Sequence, residues 1–148
     1  MDGIGTDFKS KLPDPDVFLV VVKPSEGIST PAAYSMLDSI HNNFHNHVPS
    51  SPEKLIRALT TQNRIIDQNL LFNRFEDILE PLSEESLKIL NYMRGISHAA
   101  LLSGSGSAIF ALAESEREAS VIMQKVSNEF PLCFTAISHT TGKGYNIL

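Results

Sequence analysis

Apolar positions along the chain fall into short unbroken runs separated by longer stretches of helical period. Val17–Val22 is a continuous apolar, β-branched run between Pro15 and Pro24. It predicts a strand buried on both faces and central in its sheet. Ser25–Thr30 reads as a turn ending in a helix start, with Thr30 as N-cap and Pro31 at the first helical position. Ala33, Met36, Leu37, Ile40 and Phe44 then recur at helical spacing and give one buried face. Ser51-Pro52-Glu53 repeats the start signal, and Leu55, Ile56 and Leu59 make a second short helix. Ile65–Leu82 predicts an interrupted helix that Pro81 ends. Ser83 caps a helix carrying Leu87, Leu90 and Met93, with Gly95 as its C-terminal stop.

Two apolar strands follow, Ala99–Leu102 and Ala108–Leu112, joined by a loop of serine and glycine alone. Ser115 caps an amphipathic helix with Ala119, Ile122, Met123 and Val126 on its inner face. Pro131 precedes a final strand at Leu132–Ser138. The order is β, several helices, β-loop-β, α, β. It predicts an α+β, ferredoxin-like sandwich: a four-stranded, mainly antiparallel sheet with helices chiefly on one face. No internal repeat or low-complexity linker divides the chain, so residues 1–148 read as one domain.

At 148 residues the chain can bury a substantial core, and its 42% hydrophobic content is ordinary for a globular domain. The net charge of −5, with no run among the twelve Lys and Arg residues, argues against broad binding to nucleic acid. Cys133 is the single cysteine, which excludes a disulfide framework and suits a reducing compartment. No apolar stretch approaches the ~20 residues that span a bilayer. Met1–Asp16 lack the basic-then-apolar order of a signal peptide. These features point to a cytoplasmic protein.

The joint Ser103, Gly104, Ser105, Gly106, Ser107 holds the densest candidate chemistry. Gly104 and Gly106 can take positive φ at no steric cost, so successive amides can turn to one concave side. Edged by three hydroxyls, such a concavity suits a phosphate. A flexible turn would have the same composition; the apolar strands on either side favour the cradle. His41, His45 and His47 sit at a helix C-terminus, where imidazoles are favoured without a metal. His98 and His139 lie beside strands and read as packing residues. Gly142-Lys143-Gly144 lacks the spacing of a phosphate loop and reads as a surface turn. The acids Glu76, Asp77, Glu80, Glu84 and Glu85 have the spacing of an exposed face. None stands beside a Lys or His in a manner that suggests a tuned base.

Leu102-Ser-Gly-Ser-Gly-Ser-Ala-Ile-Phe110 resembles the C-terminal glycine-rich motif of the GHMP small-molecule kinases. Val22-Lys-Pro-Ser-Glu-Gly-Ile-Ser-Thr-Pro-Ala-Ala-Tyr34 resembles the strand, turn and helix start of that superfamily's 4-diphosphocytidyl-2-C-methyl-D-erythritol kinase branch. Asn73-Arg-Phe-Glu76 is similar to the branch's "N-D-x-E" segment. Gly3-Ile-Gly-Thr6 is similar to a Gly-x-Gly-Glu before the first strand, with Thr6 in place of the acid. The four motifs occur in the family's order across nearly the whole chain.

The resemblance implies the C-terminal domain of a kinase that uses ATP and Mg²⁺ to phosphorylate the 2-hydroxyl of a cytidine-diphosphate-linked polyol in isoprenoid precursor synthesis. The family's N-terminal phosphate loop, catalytic Asp and Lys and nucleotide-base pocket have no match here, so no catalytic residue is carried over. An isolated chain of this kind is expected to be inactive and to hold no cofactor or metal by itself. The resemblance assigns Ser103–Ser107 to substrate or nucleotide phosphates and sets Ser29 and Thr30 at the cleft edge. The partners it implies are the N-terminal kinase half and the small-molecule substrate. Without that half, an apolar patch is exposed, and a homodimer is one way to hide it. A homoserine or mevalonate kinase branch is a second enzyme reading. A ferredoxin-like small-molecule-binding regulatory module without catalysis is the non-enzyme reading.

Overall fold

The computed structural model describes residues 17–40, 52–60 and 66–141. His41, His45 and His47, the Gly3–Thr6 and Gly142–Gly144 segments, Phe44 and Ser51 lie outside the described residues. Four strands, β1 (Phe18–Lys23), β2 (Ala100–Leu102), β3 (Ile109–Ala113) and β4 (Phe134–His139), form one sheet in the order β2-β3-β1-β4. All three pairings are antiparallel. β1 is thus central, as its continuous apolar run predicts. Its register sets Val20 opposite Ala111 and Ile137, and Val22 opposite Ile109 and Thr135.

Burial alternates strictly along β2 and β3 and over Leu19–Val22 of β1. Val20, Val22, Ala100, Leu102, Ile109, Ala111 and Ala113 are buried on the inner face. α4 (Glu84–Ile96) and α5 (Glu116–Glu129) pack against this face through Ile89, Leu90, Met93, Ala119, Ile122 and Val126. The expected burial of β1 on both faces is not met, because Leu19 and Val21 on the outer face are only half-buried. Among the described residues the helices cover one face of the sheet, and the apolar residues of the other face are half-buried. The α+β, ferredoxin-like arrangement is the one the element order predicts.

Four local expectations are corrected. α1 (Thr30–Ile40) begins at Thr30, so Ser29 fills the cap: its Oγ accepts from Ala32 N at 3.5 Å and its carbonyl from Ala33 N at 2.9 Å. The interrupted helix over 65–82 is instead two 3₁₀ turns, Gln68–Leu70 and Arg74–Ile78, followed by the single turn α3 (Leu79–Leu82). Asp67 and Asn73 cap those turns, their side-chain oxygens accepting from Asn69 N and Phe75 N, and divert the chain from continuous helix. Pro81 lies within the first turn of α3, where a missing N–H costs nothing. Gly95 lies inside α4; the helix ends where Ser97 Oγ donates to Met93 O at 2.6 Å. β4 begins at Phe134 because Leu132 and Cys133 belong to a turn, closed by Cys133 N donating to Phe130 O at 3.1 Å. The caps at Ser83 and Ser115 are as predicted, accepting from Ser86 N and Glu118 N. α2 (Pro52–Thr60) carries Leu55, Ile56 and Leu59 half-buried.

Candidate functional site

The serine–glycine joint connects β2 to β3 at one end of the sheet. Ser103 N donates to Ala108 O at 2.8 Å, and Gly106 N donates to Ser103 O at 3.0 Å. These two bonds close the loop as a tight turn. Gly104 and Gly106 both take positive φ, at 58° and 91°. A left-handed residue in such a turn reverses the direction of the following amide, which is how a backbone concavity forms. Among the described residues, the amides of Gly104 and Ser105 meet no acceptor.

The five residues differ in access. Ser103 and Gly104 are exposed, Ser105 and Gly106 half-buried, and Ser107 is only 5% exposed. The expected rim of three hydroxyls is therefore reduced to those of Ser103 and Ser105, because Ser107 is buried. Gly106 is placed by packing as well as by turning. A Cβ there would lie 2.8 Å from Ile28 Cδ1 and 3.3 Å from Leu102 Cδ1. Around Gly104 nothing lies within 4 Å of the corresponding point.

Thr30, expected at the cleft edge, reaches the loop: its Oγ1 shares a hydrogen bond with Ser105 Oγ at 2.9 Å. This contact brings the N-terminus of α1, with the positive end of its dipole, beside the loop. Ser29 does not meet the loop; its hydroxyl is directed to the helix cap. Asn73 Nδ2 donates to Leu102 O at 2.7 Å and to Gly104 O at 2.8 Å. Glu76, half-buried, accepts from Arg94 Nη2 at 2.6 Å, so its charge is neutralised beside the loop. An anion above Gly104 and Ser105 would meet amide dipoles, two hydroxyls and a helix N-terminus, with the nearest carboxylate already paired.

The other chemistry-bearing side chains have structural roles. His139 stacks edge-on against Phe18 with ring centroids 4.8 Å apart. His98 lies 3.9 Å from carboxylate oxygens of Glu114 and Glu118, at an exposed position. Cys133 Sγ is 3.8 Å from Glu85 Oε1. Partial burial, then the Glu85 charge and hydrogen bond, push the thiol above its ordinary range. Among the described residues, no group of three or more His, Cys, Asp or Glu side chains could hold a metal ion, and no helix is long and apolar enough to cross a membrane. The reading of the sequence singled out the loop, Thr30 and the Asn73–Glu76 segment, but not Gln68 or Arg94, which also reach β2. Both are polar residues within stretches read as helix, and nothing in their spacing sets them apart from a solvated face.

Residues 50–132 match the family model described as GHMP kinases C terminal. The 4-diphosphocytidyl-2-C-methyl-D-erythritol kinase of Carboxydothermus hydrogenoformans is 31% identical over 128 residues, covering 86% of this chain and 43% of that protein. The kinase of the same name from Leptospira biflexa is 34% identical over 119 residues, covering 77% of this chain and 38% of its own length. The chain thus spans about two-fifths of the length of these curated relatives. A crystal structure of 4-(cytidine 5'-diphospho)-2C-methyl-D-erythritol kinase superposes with a TM-score of 0.68 at 27% identity, over 96% of this chain and 48% of that one. Homoserine kinase from Cytophaga hutchinsonii shares the fold, with a TM-score of 0.64 at 19% identity over 89% of this chain and 44% of that one. From strand order to family model, these observations agree: the chain belongs to the GHMP kinases and carries their C-terminal domain.

Proposed function

We propose that this chain is the C-terminal, phosphate-positioning part of an ATP-dependent kinase that phosphorylates the 2-hydroxyl of 4-diphosphocytidyl-2-C-methyl-D-erythritol. The observation that carries the reading is the similarity to kinases of that name at 31% and 34% identity, over most of this chain. The loop geometry supports it. Open amides at Gly104 and Ser105, with the hydroxyls of Ser103 and Ser105, fit the oxygens of a phosphate group. Their contribution is to position and to offset charge rather than to form or break a bond. ATP supplies the phosphoryl group when bound to the complete enzyme. Among the described residues, no group of three or more metal-ligating side chains is placed to hold Mg²⁺. Amide dipoles in an open, wet loop bind far more weakly than the same dipoles in a closed site, so this chain alone is expected to transfer no phosphate.

Titration of the ¹⁵N-labelled chain with the cytidine-diphosphate-linked polyol tests the binding role. Shifts centred on the amides of Gly104 and Ser105 are expected, at millimolar ligand. Shifts elsewhere, or none, refute the loop as the phosphate site. An assay with ATP, Mg²⁺ and the same polyol completes the test: clear turnover by the purified 148-residue chain would contradict the assignment to a non-catalytic part.

A further inference from the structure

Strand β2 is three residues long and lies at the edge of the sheet. An edge strand presents every second residue's N–H and C=O away from its neighbour, with no strand to receive them. Toward β3 the ladder uses the odd-numbered residues: Ala99 O accepts from Leu112 N at 2.9 Å, and Ser103 N donates to Ala108 O at 2.8 Å. The outward groups are those of Ala100 and Leu102, and a side chain takes each of them. Gln68 Oε1 accepts from Ala100 N at 2.8 Å, and Arg94 Nε donates to Ala100 O at 3.3 Å. Glu76 Oε1 accepts from Leu102 N at 2.9 Å, and Asn73 Nδ2 donates to Leu102 O at 2.7 Å. The Glu76–Arg94 ion pair, at 2.6 Å, ties two of the four together. Side chains from the two 3₁₀ turns and from α4 do along this edge what a fifth strand would do.

Asn73 extends the arrangement beyond the strand. Its Nδ2 bonds both Leu102 O and Gly104 O, two carbonyls on either side of Ser103. Its Oδ1 accepts from Phe75 N at 3.0 Å and caps the 3₁₀ turn beneath. One carboxamide thus holds the point where the chain leaves β2 and enters the left-handed Gly104. Fixing these two carbonyls sets the planes of the peptides on either side, and with them the direction of the next amides. We propose that Asn73 is the positioning residue of the serine–glycine loop, and that Glu76, paired with Arg94, holds the strand end from which the loop projects. This role is independent of which ligand the loop takes. A carboxamide is needed because only it donates twice at one end and accepts at the other.

Asn73→Asp separates the two functions of the side chain. The carboxylate keeps the shape and the cap to Phe75 N but sets an oxygen against two carbonyl oxygens. Asn73→Ser does the same more gently, since a serine hydroxyl is a good cap and is too short to hold both loop carbonyls. Amide hydrogen exchange on the ¹⁵N-labelled chain reads the outcome. In each variant the amides of Ser103 and Gly106 are expected to exchange about tenfold faster, as loss of a supporting hydrogen bond implies. The amides of Phe75 and of the β1–β3 ladder should keep wild-type protection. Gln68→Ala, which removes an edge contact away from the loop, should leave Ser103 and Gly106 unchanged. Unchanged loop amides in a folded Asn73→Ser chain overturn the proposal, as does a loss of protection spread evenly through β1 and β3. If Asn73→Asp fails to fold, the Asn73→Ser chain carries the same two outcomes.

Discussion

Two glycines in one loop have different reasons to be glycine. Gly104 stands in open space at φ 58°, so a methyl group there meets only the backbone cost of the left-handed region. Gly104→Ala should therefore cost about 1 kcal/mol. At Gly106 the same methyl group would also press on Ile28 at 2.8 Å, and Gly106→Ala should cost about 2–3 kcal/mol. Equal midpoints for the two variants in urea unfolding would contradict this ordering. Sequence alone shows both residues as equivalent partners in a Ser/Gly repeat; Ile28, far away along the chain, makes the difference. A second residue-scale expectation concerns Cys133, whose thiol is held above its ordinary range by burial and by Glu85. A raised folded pKa gives a stabilising contribution that is complete below the thiol's unfolded pKa and lost as pH rises through the folded value. Glu85→Gln should lower that pKa and speed alkylation of Cys133 by iodoacetamide several-fold at pH 8. An unchanged rate would show that burial acts alone.

At the scale of elements, the strands and the two core helices are legible because each buries a face with a single period. β1, α4 and α5 have the positions their apolar residues predict, within one or two residues. Residues 66–82 are not legible in this way. Their apolar residues suit a helix, but Asp67 and Asn73 bond their own neighbouring amides, and side chains from this stretch leave it to satisfy β2. Those partners in β2 are distant in the chain, so local pattern carries no trace of them. Of the candidate site, composition pointed to the loop and the resemblance to Thr30, whereas no local signal marks Ser107 as buried. Gly95 shows how an end signal misleads. It lies within α4, has no positive φ and has nothing within 4 Å of a Cβ position. Gly95→Ala should then stabilise the chain by about 0.5–1 kcal/mol, read as a higher melting temperature. A destabilised variant would mean that Gly95 ends the helix after all.

Across the whole molecule, one layer of helix covers one face of the sheet. The outer face carries Leu19, Val21, Leu101, Phe110 and Leu112, all half-buried, beside Phe134 at 64% exposure, and Leu132 in the preceding turn is 85% exposed. Among the described residues these side chains make one contiguous apolar face. Phe134→Ser should reduce the fluorescence of a bound hydrophobic dye such as anilinonaphthalene sulfonate while leaving the inner core intact. Undiminished fluorescence would place the dye elsewhere. The sheet order has a further consequence, one of time rather than of contact. β2 and β3 close across six residues, a step of microseconds, whereas Phe18 in β1 must find Ala113 and His139 near the other end of the described chain. The strand at the centre of the sheet is thus the first in sequence and the last to be enclosed, so a chain emerging from its amino end holds its most apolar run unpaired the longest. Val20→Ala, costing about 2 kcal/mol, should speed unfolding and leave the folding rate nearly unchanged. A φ-value near 1 at Val20 would instead put β1 in the nucleus, with the long closure completed before the barrier is crossed.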